Sequence, residues 1–202
     1  MTLLQLDHLF LFVANRERAE AMMAEAGLRV NYARAHPGQG TSNLCACLDD
    51  VFLELLWLDG SPVSAESERI GLGARGRGEG SPIGVSWRGG ADVVTEPYAA
   101  PFLPPGVTIP VARASLDPAL PFAFRTPGGA LPIERTDGLP GERQRPDWAT
   151  LARCEVTVPR PERAAAMLAP FERLSVVAGA PGLRATLRSP DGTATREIAW
   201  NA

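Results

Sequence analysis

Leu6-Asp7-His8-Leu9-Phe10-Leu11-Phe12-Val13 and, further on, Phe52-Leu53-Glu54-Leu55-Leu56-Trp57 are the stretches whose reading decides the fold. Each is an apolar, strand-like run that carries an ionisable side chain, and burying such a group is costly unless it is paired or bound. Between them, Arg16 to Ala26 is rich in helix formers, and Gly27 stands where a helix commonly ends. Leu28 to Ala35 and Asn43 to Leu48 read as strands about the turn His36-Pro37-Gly38-Gln39-Gly40. Asp49-Asp50 turns the chain into a last strand, Val51 to Leu58, which should pair antiparallel with the one before it. The order is strand, helix, strand, strand, strand.

The C-terminal part replays that order. Laid without a gap on Arg16 to Ala24, the stretch Pro161 to Ala169 matches Glu17, Arg18, Ala19, Ala21, Met22 and Ala24 with Glu162, Arg163, Ala164, Ala166, Met167 and Ala169. Arg153 falls where His8 stands, and Glu197-Ile198-Ala199-Trp200 echoes Glu54-Leu55-Leu56-Trp57. The middle is less regular, with strand-like runs at Ile83 to Arg88, Val107 to Ala112 and Phe122 to Thr126. These read as a degenerate copy with its helix reduced. The units are a first module over 1–60, a Gly/Arg-rich loop or lid over 61–80, a degenerate module over 81–126, a connector over 127–150 and a C-terminal module over 151–202, in one compact body. Ser64 to Ile70 suits a short helix inside the lid. Gly71-Leu72-Gly73-Ala74-Arg75-Gly76 has the form of a dinucleotide fingerprint but lacks the strand before it and the helix after it, so no nucleotide cofactor is expected.

Composition narrows the chemistry. A chain of 202 residues, 45% hydrophobic with 21% charged residues, reads as globular. A net charge of −3 without a basic stripe argues against nucleic acid as a partner. No apolar run approaches the roughly 20 residues that span a bilayer, so no membrane partner is expected. With no secretory signal at the N-terminus and an odd number of cysteines, the expected location is the cytoplasm with reduced thiols. Cys45 and Cys47 share a strand face at a spacing too short for usual zinc motifs, and read as small buried hydrophobes. The chain has no lysine, which rules out a Schiff-base nucleophile or a P-loop lysine. Its only histidines are His8 and His36, too few for a three-histidine zinc site.

The βαβββ repeat, the first-strand histidine and the fourth-strand glutamate together resemble the vicinal-oxygen-chelate superfamily. His36-Pro37-Gly38-Gln39-Gly40-Thr41-Ser42-Asn43 followed by Phe52-Leu53-Glu54-Leu55-Leu56 resembles its glyoxalase-like branch in particular. The resemblance is strong over 4–60, visible over 151–200 and poor between. It implies an α+β fold of paired βαβββ modules in curved, mainly antiparallel sheets that cup a divalent metal, with ligands from the first and fourth strands of each module. His8 and Glu54 match two ligand positions. Glu197 is the third candidate if the C-terminal module is the partner, where Arg153 or Cys154 replaces the fourth. If the middle module is the partner, apolar residues such as Val85 and Phe124 stand at the sites. Arginine cannot ligate, since it stays protonated without a free lone pair.

His8 is in phase with Phe10 and Phe12, and Glu54 with Phe52 and Leu56, so each set shares a sheet face. If those faces line the cup, imidazole and carboxylate could hold Zn, Mn, Fe or Ni. The competing readings pair His8 with Glu54, or Glu54 with an arginine, without metal. Glu54 could also serve alone as a general base. Glu197 reads more simply as a partner of Arg153 or Arg196. His36, Asn43, Phe10, Phe12, Phe52 and Arg153 are the candidate substrate contacts, with Trp57 adding to the aromatic lining, and Arg75 and Arg77 could clamp an anion from the lid. The expected activity is that of a bacterial-type, metal-dependent lyase, isomerase or dioxygenase on a small oxygenated metabolite. The alternative from another class is a metal-free protein that sequesters a small molecule. Homodimer formation through sheet edges stays open.

Overall fold

The computed structural model describes residues 3–89, 93–135 and 143–202. The first unit runs β1 (Gln5–Phe12), α1 (Arg16–Glu25), β2 (Tyr32–His36), β3 (Thr41–Cys47) and β4 (Phe52–Leu58). Helix α1 begins where the Asn15 side chain accepts from the Arg18 N–H, and ends before Gly27, whose φ of 60° suits a residue without a Cβ. The strands lie in the order β2-β3-β4-β1, with β1 and β4 parallel.

The stretch read as a Gly/Arg-rich loop or lid contains the short helix expected at Ser64 to Ile70 and a second one after it, and it is tied down. It forms α2 (Ala65–Arg69) and α3 (Leu72–Gly76). Arg75 is only 1% exposed and donates to the carbonyls of Ile70, Gly71, Ser115, Asp117 and Leu120. Burial pulls its pKa down to about 10, so it stays cationic at neutral pH. Arg77 pairs with Glu68 at 2.7 Å. Neither arginine lines the cup described below.

The middle unit comprises β5 (Ile83–Arg88), β6 (Thr95–Tyr98), β7 (Ile109–Ala112) and β8 (Phe122–Arg125), in the order β5-β8-β7-β6. Strand β6 holds Pro97 and lies at the sheet edge, where a residue without an N–H is tolerated; its short length and its proline hid it in the sequence. Antiparallel pairing of β1 with β5 sets His8 opposite Ser86 and Phe10 opposite Gly84. The result is one eight-stranded sheet in which the middle unit mirrors the strand order of the first. The partner of the first unit is therefore the middle one. Gly84 makes the join possible, because a Cβ there would lie 1.9 Å from the Phe10 ring. Gly84→Ala is expected to cost about 1–3 kcal/mol in thermal or denaturant unfolding, the usual penalty of overpacking, and to push Phe10 into the cup.

The C-terminal unit is β9 (Thr150–Val158), α4 (Pro161–Leu168), β10 (Leu174–Ala178), β11 (Gly182–Arg188) and β12 (Thr195–Asn201). The order of elements repeats as expected, but the strand order does not. It is β10-β9-β11-β12, a separate four-stranded sheet. Strand β4 pairs with β1, whereas β12 pairs with β11 and forms an edge. Sequence similarity within a helix cannot report which strand its neighbours join.

This unit takes over the work of the helix missing from the middle one. Leu168 of α4 and Phe171 share a core cluster with Trp87, Ala112 and Ala123, and Phe171 meets Trp87 edge to face at 5.9 Å. The Leu4 N–H donates to the Pro170 carbonyl at 2.8 Å. The connector is fastened by Asp49, which accepts from Arg143 and Arg145, and by the Gln144 N–H bonded to the Cys47 carbonyl. The rest of the connector, 136–142, lies outside the described residues. Among the described residues no helix is long and apolar enough to cross a membrane.

Candidate functional site

One face of the eight-stranded sheet belongs to the main core, through Leu9, Leu11, Leu53, Leu55, Val85 and Trp57. The other is concave and holds a cavity of about 310 Å³, at the small end of ligand-pocket sizes. Period-two alternation assigns the residues: His8 and Phe10 from β1, and Phe52, Glu54 and Leu56 from β4, all line the cup. His36 and Asn43 line it as well, as does Phe124 of β8. Val85 lies in the core on the opposite face, so the inward residue opposite His8 is Ser86, whose buried hydroxyl has no hydrogen-bond partner among the described residues.

His8 is clamped between carboxylates. Its Nδ1 lies 3.2 Å from Asp7 Oδ2, and its Nε2 lies 3.6 Å from Glu54 Oε2. Its ring stacks on Phe52 at 4.2 Å and meets the edge of Phe124 at 5.2 Å. Burial pushes the Asp7 carboxyl upward, but the hydrogen bond from His8 and the charge of Arg88, 3.2 Å away, outweigh it and hold the group below its ordinary value. Asp7 is thus ionised at neutral pH and fixes the proton of His8 on Nδ1. The Asn43 amide donates to Glu54 Oε1 at 2.6 Å, and Asn43 Oδ1 accepts from the Arg34 N–H. Glu54 is therefore held at one oxygen and presents the other to His8.

The opposite wall comes from β2. His36 Nδ1 lies 3.0 Å from Thr41 Oγ1, which accepts from Gln39 Nε2 at 2.7 Å. Gln39 Oε1 accepts from the Tyr98 hydroxyl, which lies 2.8 Å from Ser67 Oγ. Burial lowers the pKa of His36, against the pull of Glu54 in the other direction, so the ring is neutral at neutral pH. The Arg34 guanidinium sits 4.9 Å over the Phe102 ring.

Four expected site residues lie elsewhere. Glu197 and Arg153 are on the separate sheet, exposed and 3.3 Å from each other, as the simpler reading of Glu197 has it. Neither lines the cup. Phe12 packs edge to face on Phe10 at 5.8 Å and does not line the cavity, and Trp57 points into the main core. The sequence reading missed Arg34, Gln39, Tyr98, Phe102 and Arg135, all of which line the cup. Alternation along Tyr32-Ala33-Arg34-Ala35-His36 would have found Arg34, but Tyr98 comes from the strand that its proline concealed.

The donors present do not complete a metal centre of the implied kind. His8 Nε2 and Glu54 supply two ligands, while the positions facing them in the middle unit carry Ser86 and Phe124. Among the described residues no group of three or more His, Cys, Asp and Glu side chains is placed to hold a metal ion. The three cysteines are buried, and burial pushes the Cys47 and Cys154 thiols up to about 12, which keeps them protonated.

Residues 6–86 match the model of the family described as glyoxalase-like domain. No curated protein is significantly similar to the chain. A methylmalonyl-CoA epimerase solved with methylmalonyl-CoA and NH4+ is 15% identical, with a TM-score of 0.42, over 64% of this chain and 98% of its own. A triple mutant of 4-hydroxymandelate synthase from Streptomyces coelicolor is 13% identical, with a TM-score of 0.43, over 98% of this chain and 63% of its own. A Staphylococcus aureus protein described as hypothetical is 9% identical, with a TM-score of 0.47, over 96% of this chain and 85% of its own. The family match over residues 6–86 falls on β1 to β5, the part of the sheet that carries His8 and Glu54, and this segment is similar to a glyoxalase-like domain.

Proposed function

We propose that the protein is a glyoxalase-like enzyme that moves a proton at a carbon beside a carbonyl in a small oxygenated metabolite, with Glu54 as the base. The observation that carries this reading is the Asp7–His8–Glu54 array at the floor of an apolar cup. With the His8 proton fixed on Nδ1, its Nε2 lone pair faces a carboxylate oxygen 3.6 Å away, too far for a hydrogen bond in the resting arrangement. A proton taken up by Glu54 then has an acceptor beside it in His8, which Asp7 stabilises as the imidazolium. The aromatic walls from Phe10, Phe52, Phe122 and Phe124 exclude water and hold the apolar part of the ligand. Asn43 keeps the carboxylate aimed.

A metal-dependent lyase, isomerase or dioxygenase is the finer expectation of the sequence, with His8 and Glu54 as ligands. A two-donor set leaves that version dependent on ligands from outside the chain. A metal-free binding protein is the second reading, favoured by the aromatic walls.

Exchange of carbon-bound hydrogen for deuterium, followed by NMR in D2O with a panel of 2-oxo acids and ketones, tests the proposal. Catalysed exchange that persists after treatment with EDTA is expected. Exchange lost with EDTA and restored by Zn, Mn, Fe or Ni would replace the proposal with the metal-dependent reading. Tight binding without exchange would leave a sequestering protein.

A further inference from the structure

The β2 wall of the cup carries a feature that the acid–base floor does not use. Tyr32, Arg34 and His36 alternate along β2, so all three share one face, and all three line the cavity. Arg69, Arg77 and Arg113 each sit on a carboxylate, at 2.8, 2.7 and 2.7 Å. Arg34 has no carboxylate partner among the described residues, and its guanidinium rests on the Phe102 ring beside the cavity. Arg135 joins it among the lining residues.

His36 is fixed for the same task. Thr41 is fully buried and already accepts from Gln39, so its hydroxyl is free to donate to His36 Nδ1 at 3.0 Å. That leaves the proton of the neutral ring on Nε2. A buried N–H donor and a guanidinium two residues away on the same strand form a pair suited to a carboxylate.

We infer that Arg34 and His36 form an oxyanion subsite, so that the ligand of the cup is an organic anion with an apolar body, its carboxylate on β2 and its carbon acid toward Glu54. This rests on the reading of Glu54 as a base for its orientation, though not for the anion preference itself.

Phenylpyruvate and its uncharged methyl ester are the probes, and calorimetric titration of the whole protein is the measurement. The acid is expected to bind roughly tenfold or more tightly than the ester, the scale of one charge-assisted pair. Arg34→Met, at an exposed position that leaves the core intact, is expected to abolish that preference. With two histidines in the chain, ¹⁵N NMR reads the second element, His36 being identified by the signal lost in His36→Gln. The expected state is Nε2–H, shifting on addition of the acid and not of the ester. Equal affinity for acid and ester, binding of neither, or a preference that survives Arg34→Met would overturn the subsite. An Nδ1–H ring, the state produced if the Gln39 amide were reversed, would remove His36 from it. Failure of the base is read separately: Glu54→Gln would leave exchange intact while the preference for the anion stayed.

Discussion

Glu54→Gln is expected to lower catalysed deuterium exchange by roughly 10²–10⁴-fold, the usual contribution of a positioned general base. The substitution suits the test because glutamine keeps the shape and the acceptor that receives the Asn43 amide. What it removes is the basic oxygen facing His8 at 3.6 Å. Folding should change little, so urea midpoints measured beside the exchange rates separate chemistry from structure. Asn43→Ala is expected to have a smaller effect on rate, because it frees the carboxylate to rotate without removing it. A Glu54→Gln protein that exchanges as fast as the native one would end the case for Glu54 as the base.

Asp7→Ala should produce the largest loss of stability, about 3–5 kcal/mol, because it strands a buried cation. The Arg88 side chain is 2% exposed and lies 3.2 Å from the Asp7 carboxylate. Its remaining acceptors are the backbone carbonyls of Asp7 and Asp50, and two of its nitrogens have no hydrogen-bond partner among the described residues. The same change removes the acceptor that orients His8. Activity and stability should therefore fall together, whereas Glu54→Gln should separate them.

The pH dependence of this pair follows from its sign. The folded-state pKa of Asp7 is depressed below the value of about 3.9 for an unfolded aspartate, so its contribution is fully present above that value. It is lost as pH falls through the folded-state value. The stability gap between the native protein and Asp7→Asn, taken from urea midpoints, should hold constant across neutral pH and narrow only below about pH 4. A gap unchanged from neutral pH down to strong acid would mean that Asp7 does not titrate with folding.

Several features of this protein were written in local sequence. The alternation put His8 on one face with Phe10 and Phe12, and Glu54 on one face with Phe52 and Leu56, because side chains in a strand can only point to either side of it. Asn15, Gly27 and the turn at His36–Gly40 set boundaries through their own backbone chemistry. Those signals gave the first βαβββ unit, and the pairing of its strands brought His8, Glu54, Asn43 and His36 into one cup. The tertiary structure decided the rest, wherever a result depended on which element lay beside which. The internal repeat in α4 suggested a second cup-forming module with Glu197 as a ligand. Strand order instead set β12 at the edge of a separate sheet, because the crossover through α4 joins β9 directly to β10. A ring of carbonyls converted the glycine-rich stretch around Arg75 from an expected lid into buried structure, and those acceptors come from a loop far along the chain. Tyr98 and Gln39 meet only because the edge strand of the middle unit folds back over the cup. Periodicity reports the face a side chain occupies. The partner across that face is a long-range pairing, and the free energy that selects it resides in the assembled core.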